Sequence, residues 1–546
     1  MPRPTVFCLS AMALCLAPVT CILSAQAPVA PASAARSVSC PVQPSLPSTD
    51  ASRAFATGDF TSAASLYQSQ VAAHPTDAAY AGLVGSQLQQ NKLADALATA
   101  QAATTALKAS AGAQALLGFV LLRSGQIAEA STAFAKASAL DHCSAPAIYG
   151  GGLISQLSSR HAAAAQQFKI AHSLLPSNPE YTAAYLSTLP DSARLAPLQA
   201  LIASSPALAP EALDRLKLSL AILKEHKSCT VTEPGVPTRV DLQGLMSYGA
   251  HPRSWGFRYH INNADMALTE LDSGVSGIVL NPRDAKAAKV KPFLTDQPPA
   301  KGMYYAVADK INIGNLEYHD CIVRVASSDI LANANSLIGT DFFRDRLIHI
   351  DYVTKLLTLT TFAPSDAADR ATATIQKGWF PVYIAGSNIL VPTLINKKGP
   401  SLFLFDTGSP TSVFAPSVAD KRLLTYKDSQ LNQRGFSGAI IKVLPQFGGG
   451  DVDHALVYNP SGEMLKIGIP IKIPYLAFTN TEILESQALS FDIEPKSHDT
   501  GIELAGLLGF SVIDQFFVDL DYRHGLIQLA YDPDHLYNAR ELDRRN

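Results

Sequence analysis

The amino-acid sequence predicts a multidomain protein in which an all-α region of helical repeats precedes an all-β region with two related halves. Apolar residues recur at helical spacing between about residues 50 and 225, where strand-like alternation is nearly absent. Beyond about residue 240, short β-branched and aromatic runs alternate with Gly, Pro and Asn turns. Because these runs repeat the same landmarks twice, we expect two β lobes.

The composition excludes several classes of protein. The 546 residues exceed the usual size of one domain, and 47% of them are hydrophobic, which is enough to build more than one core. A net charge of −3 gives no reason to expect nucleic acid or an anionic membrane as a partner. The seven cysteines include no C-x-x-C pair, so we expect no structural zinc site and leave one or two disulfides open.

The N-terminal segment is typical of an export signal. Arg3 precedes an uncharged apolar run from Val6 to Leu23, and small residues follow that run. We predict residues 1–34 as a signal peptide and leader, and Pro18 within the run favours cleavage over a retained membrane anchor. The expected location is therefore periplasmic or extracellular. No later stretch of the sequence is long and apolar enough to span a membrane.

A repeat is visible in the helical region, which we predict over residues 45–225. Its units begin at Gly58, Asn91, Gly125 and Ser159. These positions advance by 33, 34 and 34 residues, and alanines with an aromatic residue follow at recurring offsets. The pattern resembles the tetratricopeptide repeat (TPR), in which stacked helix pairs bury each other's apolar faces. The alternative is an alanine-rich bundle without a binding role.

The segment 226–239 separates the helical region from the β region. It contains two prolines and a glycine, and we expect it to be a linker. The predicted β lobes then occupy residues 240–363 and 376–535.

The two lobes share a series of landmarks. In each, an Ile-Asn pair lies ten residues before an Asp-[Ser/Thr]-Gly triplet, and a proline lies ten residues after the aspartate. The triplets are Asp272-Ser273-Gly274 and Asp406-Thr407-Gly408. An apolar-Gly pair follows in each lobe, with an Asp-Tyr pair twelve residues after its glycine. The apolar-Gly pairs are Ile338-Gly339 and Leu508-Gly509.

This arrangement resembles the aspartic peptidases of the pepsin and retroviral protease (retropepsin) type, over roughly residues 240–532. The resemblance implies that Asp272 and Asp406 form a catalytic dyad, one aspartate from each lobe. It also implies that the hydroxyl residues brace the two loops, that the glycines permit tight turns, and that the apolar-Gly pairs pack beneath the aspartates. The implied supports are Ser273, Gly274, Thr407, Gly408, Ile338, Gly339, Leu508 and Gly509.

Peptide hydrolysis by this dyad needs no cofactor and no metal. Like charges a few Å apart do not both ionise readily, so the two carboxyl groups share one proton. The ionised member takes a proton from water, and the protonated member polarises the scissile carbonyl. The expected activity is therefore that of an exported aspartic endopeptidase with a peptide or protein substrate, while the repeats recruit a protein partner or the substrate.

Substrate contacts are expected in hairpins that cover the cleft, as in the family that the sequence resembles. The positions for such flaps are residues 298–305 and 435–441. The predicted substrate-binding residues are Tyr304, Tyr305, Ser409, Gly435 and Phe436.

Three alternatives to this interpretation stay open. Glu270 before the first aspartate, and Val275 where a small residue is frequent, depart from the family pattern and favour an inactive peptide-binding scaffold. The repeats could instead carry the function as an interaction hub, or fold against the peptidase and restrict access. Finally, the lobes could pair between chains, which would separate Asp272 from Asp406 within one chain.

Overall fold

The computed structural model describes most of the chain after the predicted leader. The described residues are 40–44, 48–204, 210–225, 229–246, 252–293, 303–326, 335–363, 366, 369–371, 373, 375–418, 424–425, 455–458, 464–490 and 492–531. The predicted signal peptide, Gly435 and Phe436 lie outside these ranges. Within the described residues, none of the helices has the length and apolar character needed to cross a membrane.

The N-terminal part of the described chain consists of consecutive helices. They are α1 (Asp50–Ala56), α2 (Phe60–Ala73), α3 (Asp77–Gln89), α4 (Leu93–Ala106), α5 (Ala111–Arg123), α6 (Ile127–Leu140), α7 (Ala145–Leu157), α8 (His161–Leu174), α9 (Pro179–Ser187), α10 (Asp191–Ser204) and α11 (Pro210–Glu225). The first eight form four helix–turn–helix repeats. The predicted helical-repeat fold is confirmed.

The positions that recur in the sequence of the repeats lie in the turns between helices. Gly58, Asn91, Gly125 and Ser159 each lie between the two helices of a repeat and have φ angles of 83°, 60°, 74° and 54°. Glycine and asparagine tolerate this left-handed region better than other residues do. The periodic landmarks in the sequence therefore mark the places where the chain must reverse direction.

Glycines of one helix accommodate the aromatic ring of another. A Cβ atom at Gly82 would lie 2.2 Å from the Tyr67 ring, and one at Gly150 would lie 2.1 Å from the Phe134 ring. The same Phe134 ring lies 2.6 Å from a Cβ built at Gly118. Small and large residues thus alternate across the contacts between helices, which is how close-packed interiors are filled.

The β region consists mainly of strands, with a few short helices among its described residues. The strands are β1 (Thr230–Thr232), β2 (Thr238–Asp241), β3 (Gln243–Met246), β4 (Pro252–Phe257), β5 (His260–Ile261), β6 (Ala264–Asp265), β7 (Thr269–Leu271), β8 (Ile278–Leu280), β9 (Lys291–Phe293), β10 (Met303–Ile313), β11 (Leu316–Ala326), β12 (Leu337–Ile338), β13 (Arg346–Asp351), β14 (Leu356–Thr361), β15 (Trp379–Pro381), β16 (Tyr383–Ala385), β17 (Asn388–Ile395), β18 (Lys398–Phe405), β19 (Val413–Phe414), β20 (Leu424–Thr425), β21 (Ala455–Tyr458), β22 (Met464–Phe478), β23 (Thr481–Ser490), β24 (Gly506–Leu508), β25 (Phe516–Asp521) and β26 (Leu526–Tyr531). The helices are α12 (Pro282–Ala288), α13 (Glu494–Thr500) and α14 (Phe510–Ile513), and a 3-10 turn covers Thr340–Phe343.

Both lobes are built around the same central motif. In lobe 1, β12 lies between β7 and β8, parallel to the first and antiparallel to the second. In lobe 2, β24 lies between β18 and β19 in the same two senses. The hairpins β10–β11 and β22–β23 then extend the two sheets through parallel pairs with β8 and β19. The duplication in the sequence is therefore a duplication of topology.

The repeated Ile-Asn landmark is a hairpin turn with a structural task. Asn262 and Asn396 both have positive φ angles, of 49° and 48°. Each asparagine accepts a hydrogen bond through Oδ1 from a neighbouring strand, from the Lys310 N–H at 3.0 Å in lobe 1 and from the Tyr475 N–H at 3.2 Å in lobe 2. The side chain that permits the turn thus also attaches it to the long hairpin of the lobe.

The two lobes share one six-stranded sheet of order β15-β26-β25-β13-β14-β2. At its centre, β13 of lobe 1 pairs antiparallel with β25 of lobe 2. At its edges, the first strand of each lobe pairs with the last strand of the same lobe. Both lobes of a single chain therefore form this sheet, unlike the arrangement in which lobes pair between chains.

The predicted linker, residues 226–239, contains secondary structure. β1 pairs with β11, and β2 begins at Thr238 and pairs with β14. A disulfide between Cys229 and Cys321 attaches this segment to β11, and a second disulfide joins Cys40 to Cys143. The Thr-Val-Thr sequence of β1 is favourable in a strand, which outweighs the breaking effect of the prolines that follow it.

The helical repeats pack directly against lobe 2. Leu122 and Ile154 of the repeats belong to the same apolar core as Leu404 and Leu507 of the lobe. The turns of the repeats add polar contacts, including the hydrogen bond of 2.7 Å from the Glu503 N–H to the carbonyl at the end of α5. The repeats thus fold against the β region rather than extending away from it.

Candidate active site

Asp272 and Asp406 occupy the same position in their lobes, directly after β7 and β18. The N–H of Asp272 donates to the carbonyl of Ile338 at 2.9 Å, and the N–H of Asp406 donates to that of Leu508 at 3.0 Å. The central strand of each lobe therefore supports the loop that carries the aspartate. This is the position in which the sequence predicted Ile338 and Leu508.

The glycines that follow these two residues allow a close approach of backbones. A Cβ atom at Gly339 would lie 2.2 Å from the Val275 carbonyl oxygen, and one at Gly509 would lie 2.2 Å from the Thr411 carbonyl oxygen. Any side chain at either position would push the aspartate loop away from the strand beneath it.

The hydroxyl residues of the two triplets connect the loops by four reciprocal hydrogen bonds. Ser273 Oγ donates to the Phe405 carbonyl at 2.7 Å, and Thr407 Oγ1 donates to the Leu271 carbonyl at 3.0 Å. In return, each hydroxyl accepts from the N–H of the other, with both distances 3.0 Å. Both residues are buried. These hydrogen bonds join the two aspartate loops across the lobe interface, at the place where the family resemblance implies a brace.

The two carboxyl groups adjoin at the centre of this brace. The Gly274 N–H donates to Asp272 Oδ1 at 2.7 Å, and the Gly408 N–H donates to Asp406 Oδ1 at 3.1 Å. A Cβ atom at Gly274 would lie 2.7 Å from Asp406 Oδ2, and one at Gly408 would lie 2.3 Å from Asp272 Cγ. Each carboxyl group therefore lies against the glycine of the opposite loop.

The electrostatics of the pair favour a shared proton. Burial raises the pKa of Asp272 well above its ordinary value, and the neighbouring carboxylates of Asp406 and Glu270 raise that pKa further. The Lys496 ammonium and the hydrogen bond from Gly274 act in the opposite direction. Asp272 therefore retains a proton in a pH range where an isolated aspartate is ionised.

Ser409 lies in the Asp406 loop. Its N–H donates to Asp406 Oδ1 at 3.0 Å, and its Oγ donates to the Thr411 carbonyl at 2.9 Å. Asp406 thus accepts backbone hydrogen bonds from two residues on one oxygen, which fixes the orientation of its carboxyl group. A substrate contact of Ser409 stays a prediction.

Tyr304 and Tyr305 lie on β10, which pairs with β9 through Tyr305 and Phe293. The segment 294–302, which connects these two strands, lies outside the described residues. The Tyr304 side chain is exposed. Among the described residues, neither tyrosine forms a hydrogen bond to the dyad, so their role as substrate contacts stays a prediction.

The repeated Asp-Tyr pairs place a tyrosine at each side of the lobe interface. The Tyr352 ring of lobe 1 packs edge-on against Phe510 of lobe 2, with centroids 5.4 Å apart. The Tyr522 hydroxyl of lobe 2 forms a hydrogen bond of 2.6 Å with Thr340 Oγ1 of lobe 1. Both contacts lie one residue beyond an apolar-Gly pair, so they connect the supports of the two aspartate loops.

The departures from the family pattern in lobe 1 are accommodated locally. Glu270 is 2% exposed, and its carboxylate accepts a hydrogen bond from the Ser254 hydroxyl of the neighbouring strand. Val275 packs against the small apolar cluster that contains Val279 and Ala326. These residues leave the pairing of β7 with β12 intact.

Sequence reasoning missed two side chains that contact the Asp272 loop. Lys496 on α13 donates to the Gly274 carbonyl at 2.8 Å. Asp341 accepts hydrogen bonds of 2.8 Å from the Ser276 hydroxyl and the Gly277 N–H. Asp341 lies two residues after Gly339, and its position beside that landmark could have identified it from the sequence. Lys496 is 222 residues from its partner and has no motif that signals it.

Among the described residues, one group of side chains consists of residue types that commonly bind metal ions. Cys40, His142 and Cys143 place their ligand atoms within 4.8 Å of one another. The two sulfur atoms are bonded to each other in a disulfide, which leaves no thiolate to bind a metal.

Comparisons with known proteins give distant likenesses. The chain matches no protein-family model and no curated protein. Among solved structures, a thermophilic TPR protein from Thermus thermophilus is 22% identical, with a TM-score of 0.26, over 32% of this chain and 95% of that chain. MamA is 18% identical, with a TM-score of 0.21, over 32% of this chain and 99% of that chain.

A retropepsin-like aspartic protease from Rickettsia conorii is also similar to part of the chain. It is 20% identical, with a TM-score of 0.17, over 24% of this chain and 93% of that chain. At TM-scores this low, these likenesses support no conclusion about the chain. The class of the protein, a helical-repeat region followed by a two-lobed β region, is defined by the topology and contacts above.

Proposed function

We propose that the chain is an aspartic-type endopeptidase. One observation carries the proposal: Asp272 and Asp406 lie on equivalent loops that reciprocal hydrogen bonds of Ser273 and Thr407 hold face to face. A strand-ending turn needs none of these contacts. Two adjoining carboxyl groups with one shared proton are, in contrast, an arrangement that can hydrolyse an amide without a covalent intermediate.

The proposed reaction uses a water molecule between the two carboxyl groups. The ionised carboxylate takes a proton from this water as its oxygen attacks the scissile carbonyl carbon, and the protonated carboxyl group donates to the carbonyl oxygen. The tetrahedral intermediate then collapses, the C–N bond breaks, and the leaving nitrogen receives a proton from the dyad. Burial and the neighbouring carboxylates raise the pKa of Asp272, which favours the form of the pair that keeps one proton.

The proposed location is outside the cytoplasm. Two disulfides join the four cysteines beyond the predicted leader. Such bonds form and persist in oxidising compartments, which supports an exported protein. We further infer that the face of the repeats that does not pack on lobe 2 recruits a protein partner or the substrate. The stacked helix pairs support this inference because they present an extended surface.

We expect Asp406→Asn to abolish cleavage of a denatured protein at acidic pH. The amide cannot take a proton from water, so the loss relative to the wild-type chain is expected to exceed about 1,000-fold. The matched control is Asp265→Asn, in lobe 1, where the side chain is 90% exposed. Peptide release measured by mass spectrometry on the full chain compares the three proteins.

Retained cleavage in Asp406→Asn would contradict the proposal, as would equal losses in the two variants. A wild-type chain that cleaves nothing from acidic to neutral pH would instead favour the inactive peptide-binding scaffold. In that case binding of an extended peptide, measured by calorimetry, would remain in all three proteins.

A further inference from the structure

Helix α13 contacts the active site on one side and the helical repeats on the other. On the active-site side, the half-buried Lys496 side chain donates from Nζ to the Gly274 carbonyl at 2.8 Å. Gly274 belongs to the Asp272 loop and lies against the Asp406 carboxyl group. A cation from lobe 2 thus reaches the catalytic loop of lobe 1.

On the other side, the repeats hold α13 and the residues that follow it. The Arg123 guanidinium at the end of α5 donates to the Ser497 carbonyl at 3.1 Å, and the Arg123 carbonyl accepts from the Glu503 N–H at 2.7 Å. The Asn91 side chain of the preceding repeat donates to the Glu494 carboxylate. Two successive repeats therefore fix the segment from which Lys496 extends.

The charged groups around Asp272 determine how a nearby cation affects its ionisation. The carboxylates that face Asp272 are Asp406 in the opposite loop and Glu270 in β7, and both oppose its ionisation. The Tyr522 hydroxyl group is close enough for its own pKa to be raised in part by Asp272. Within the described part of the chain, Lys496 is the cation that acts on Asp272, and it opposes the effect of the two acids.

We propose that Lys496 is a positioning residue of the dyad, and that the helical repeats hold it against the Gly274 loop. The inference rests on the proposed function, because its principal readout is peptidase activity. Lys496 fixes the carbonyl of the loop that abuts the second aspartate, and its charge stabilises the ionised form of the pair. The repeats therefore take part in setting the acidity at which the dyad works.

The direct test replaces Lys496 with methionine, which is close to lysine in length and removes the charge. Loss of a nearby cation disfavours both deprotonation steps of the dyad, so both limbs of the pH profile of kcat/KM should move upward, by about one pH unit. Lys496→Arg should restore the wild-type limbs, since it keeps the charge. Lys136→Met, at an exposed lysine of α6, is the matched control.

The contribution of the repeats is tested by Arg123→Ala. This variant keeps Lys496 but removes the side-chain contact to α13, and we expect a smaller upward shift of the same limbs. Arg53→Ala is its control, because Arg53 is exposed on α1 and pairs with Asp50. If the limbs of the pH profile of Lys496→Met coincide with those of the wild type, or move to lower pH, the proposed role of Lys496 is overturned. An unshifted profile in Arg123→Ala would overturn the role of the repeats.

The inference can fail separately from the proposed function. If the wild-type chain cleaves nothing, the ionisation of the dyad can still be followed by an NMR titration of 13C-labelled aspartate carboxyl groups. The Asp272→Asn variant identifies which signal belongs to Asp272. The expected result is a higher midpoint in Lys496→Met than in the wild type and in Lys496→Arg. Equal midpoints in the three proteins would overturn the inference even where turnover is observed.

Discussion

Replacing Gly408 with alanine is expected to reduce kcat/KM by at least about 100-fold, because the new methyl group collides with the dyad. Its Cβ would lie 2.3 Å from Asp272 Cγ and 2.5 Å from Asp272 Oδ2. The carboxyl group cannot retreat freely, since its other oxygen accepts a hydrogen bond of 2.7 Å from the Gly274 N–H. Displacement of either the carboxyl group or the loop separates the two groups that must share a proton.

The change is expected to affect activity more than stability. Overpacking of this kind costs about 1–3 kcal/mol of unfolding free energy, which is less than the roughly 5–15 kcal/mol by which native proteins are usually stable. The matched control is Gly85→Ala in α3, where the nearest atom to the new Cβ is Phe55 Cε2 at an ordinary 3.5 Å. Kinetics and thermal unfolding of both variants should be measured together. Activity of Gly408→Ala within a few-fold of the wild type would contradict the facing arrangement of the two loops.

Thr407→Ala is expected to destabilise the junction of the two lobes by about 2–4 kcal/mol and to lower activity with it. The substitution removes the acceptor of the Ser273 N–H and the donor to the Leu271 carbonyl, both at 3.0 Å. Both groups are buried by the opposite loop, so water does not readily replace the lost partner. A buried polar group without a partner carries its full desolvation penalty.

Thr407→Ser separates the hydroxyl group from the methyl group. It keeps both hydrogen bonds, and we expect most of the lost stability to return. Urea denaturation followed through the two tryptophans, together with peptidase activity, compares the variants. Equal destabilisation by serine and alanine would show that methyl packing, and not the reciprocal hydrogen bonds, connects the lobes.

Local signals predicted much of the fold and the centre of the site. The recurring positions Gly58, Asn91, Gly125 and Ser159 mark chain reversals, so the period of the repeats could be predicted before any contact was known. The two triplets and the apolar-Gly pairs are likewise short segments whose residue types are dictated by tight turns and close backbone approach. Duplication made them visible, since the same constraints act twice along one chain.

What could not be predicted depends on contacts between distant segments. Lys496 reaches the Gly274 loop across 222 residues, and nothing in its own neighbourhood distinguishes it from a solvent-exposed lysine. The pairing of Cys229 with Cys321 likewise depends on β1 lying beside β11. The packing of the repeats against lobe 2 also depends on two apolar surfaces whose complementarity is a property of the folded chain.

The shared proton of Asp272 and Asp406 is tested most directly by the pH dependence of kcat/KM for cleavage of a denatured protein by the full chain. The expected profile has two limbs: activity falls in acid as the pair takes up a second proton, and falls again at higher pH as the pair loses its shared proton. Burial and the neighbouring carboxylates move this second limb above the ordinary pKa of an aspartate. Asp272→Asn should remove the activity and with it both limbs. A rate that is independent of pH or increases steadily into the alkaline range, or a profile that survives in Asp272→Asn, would contradict the dyad.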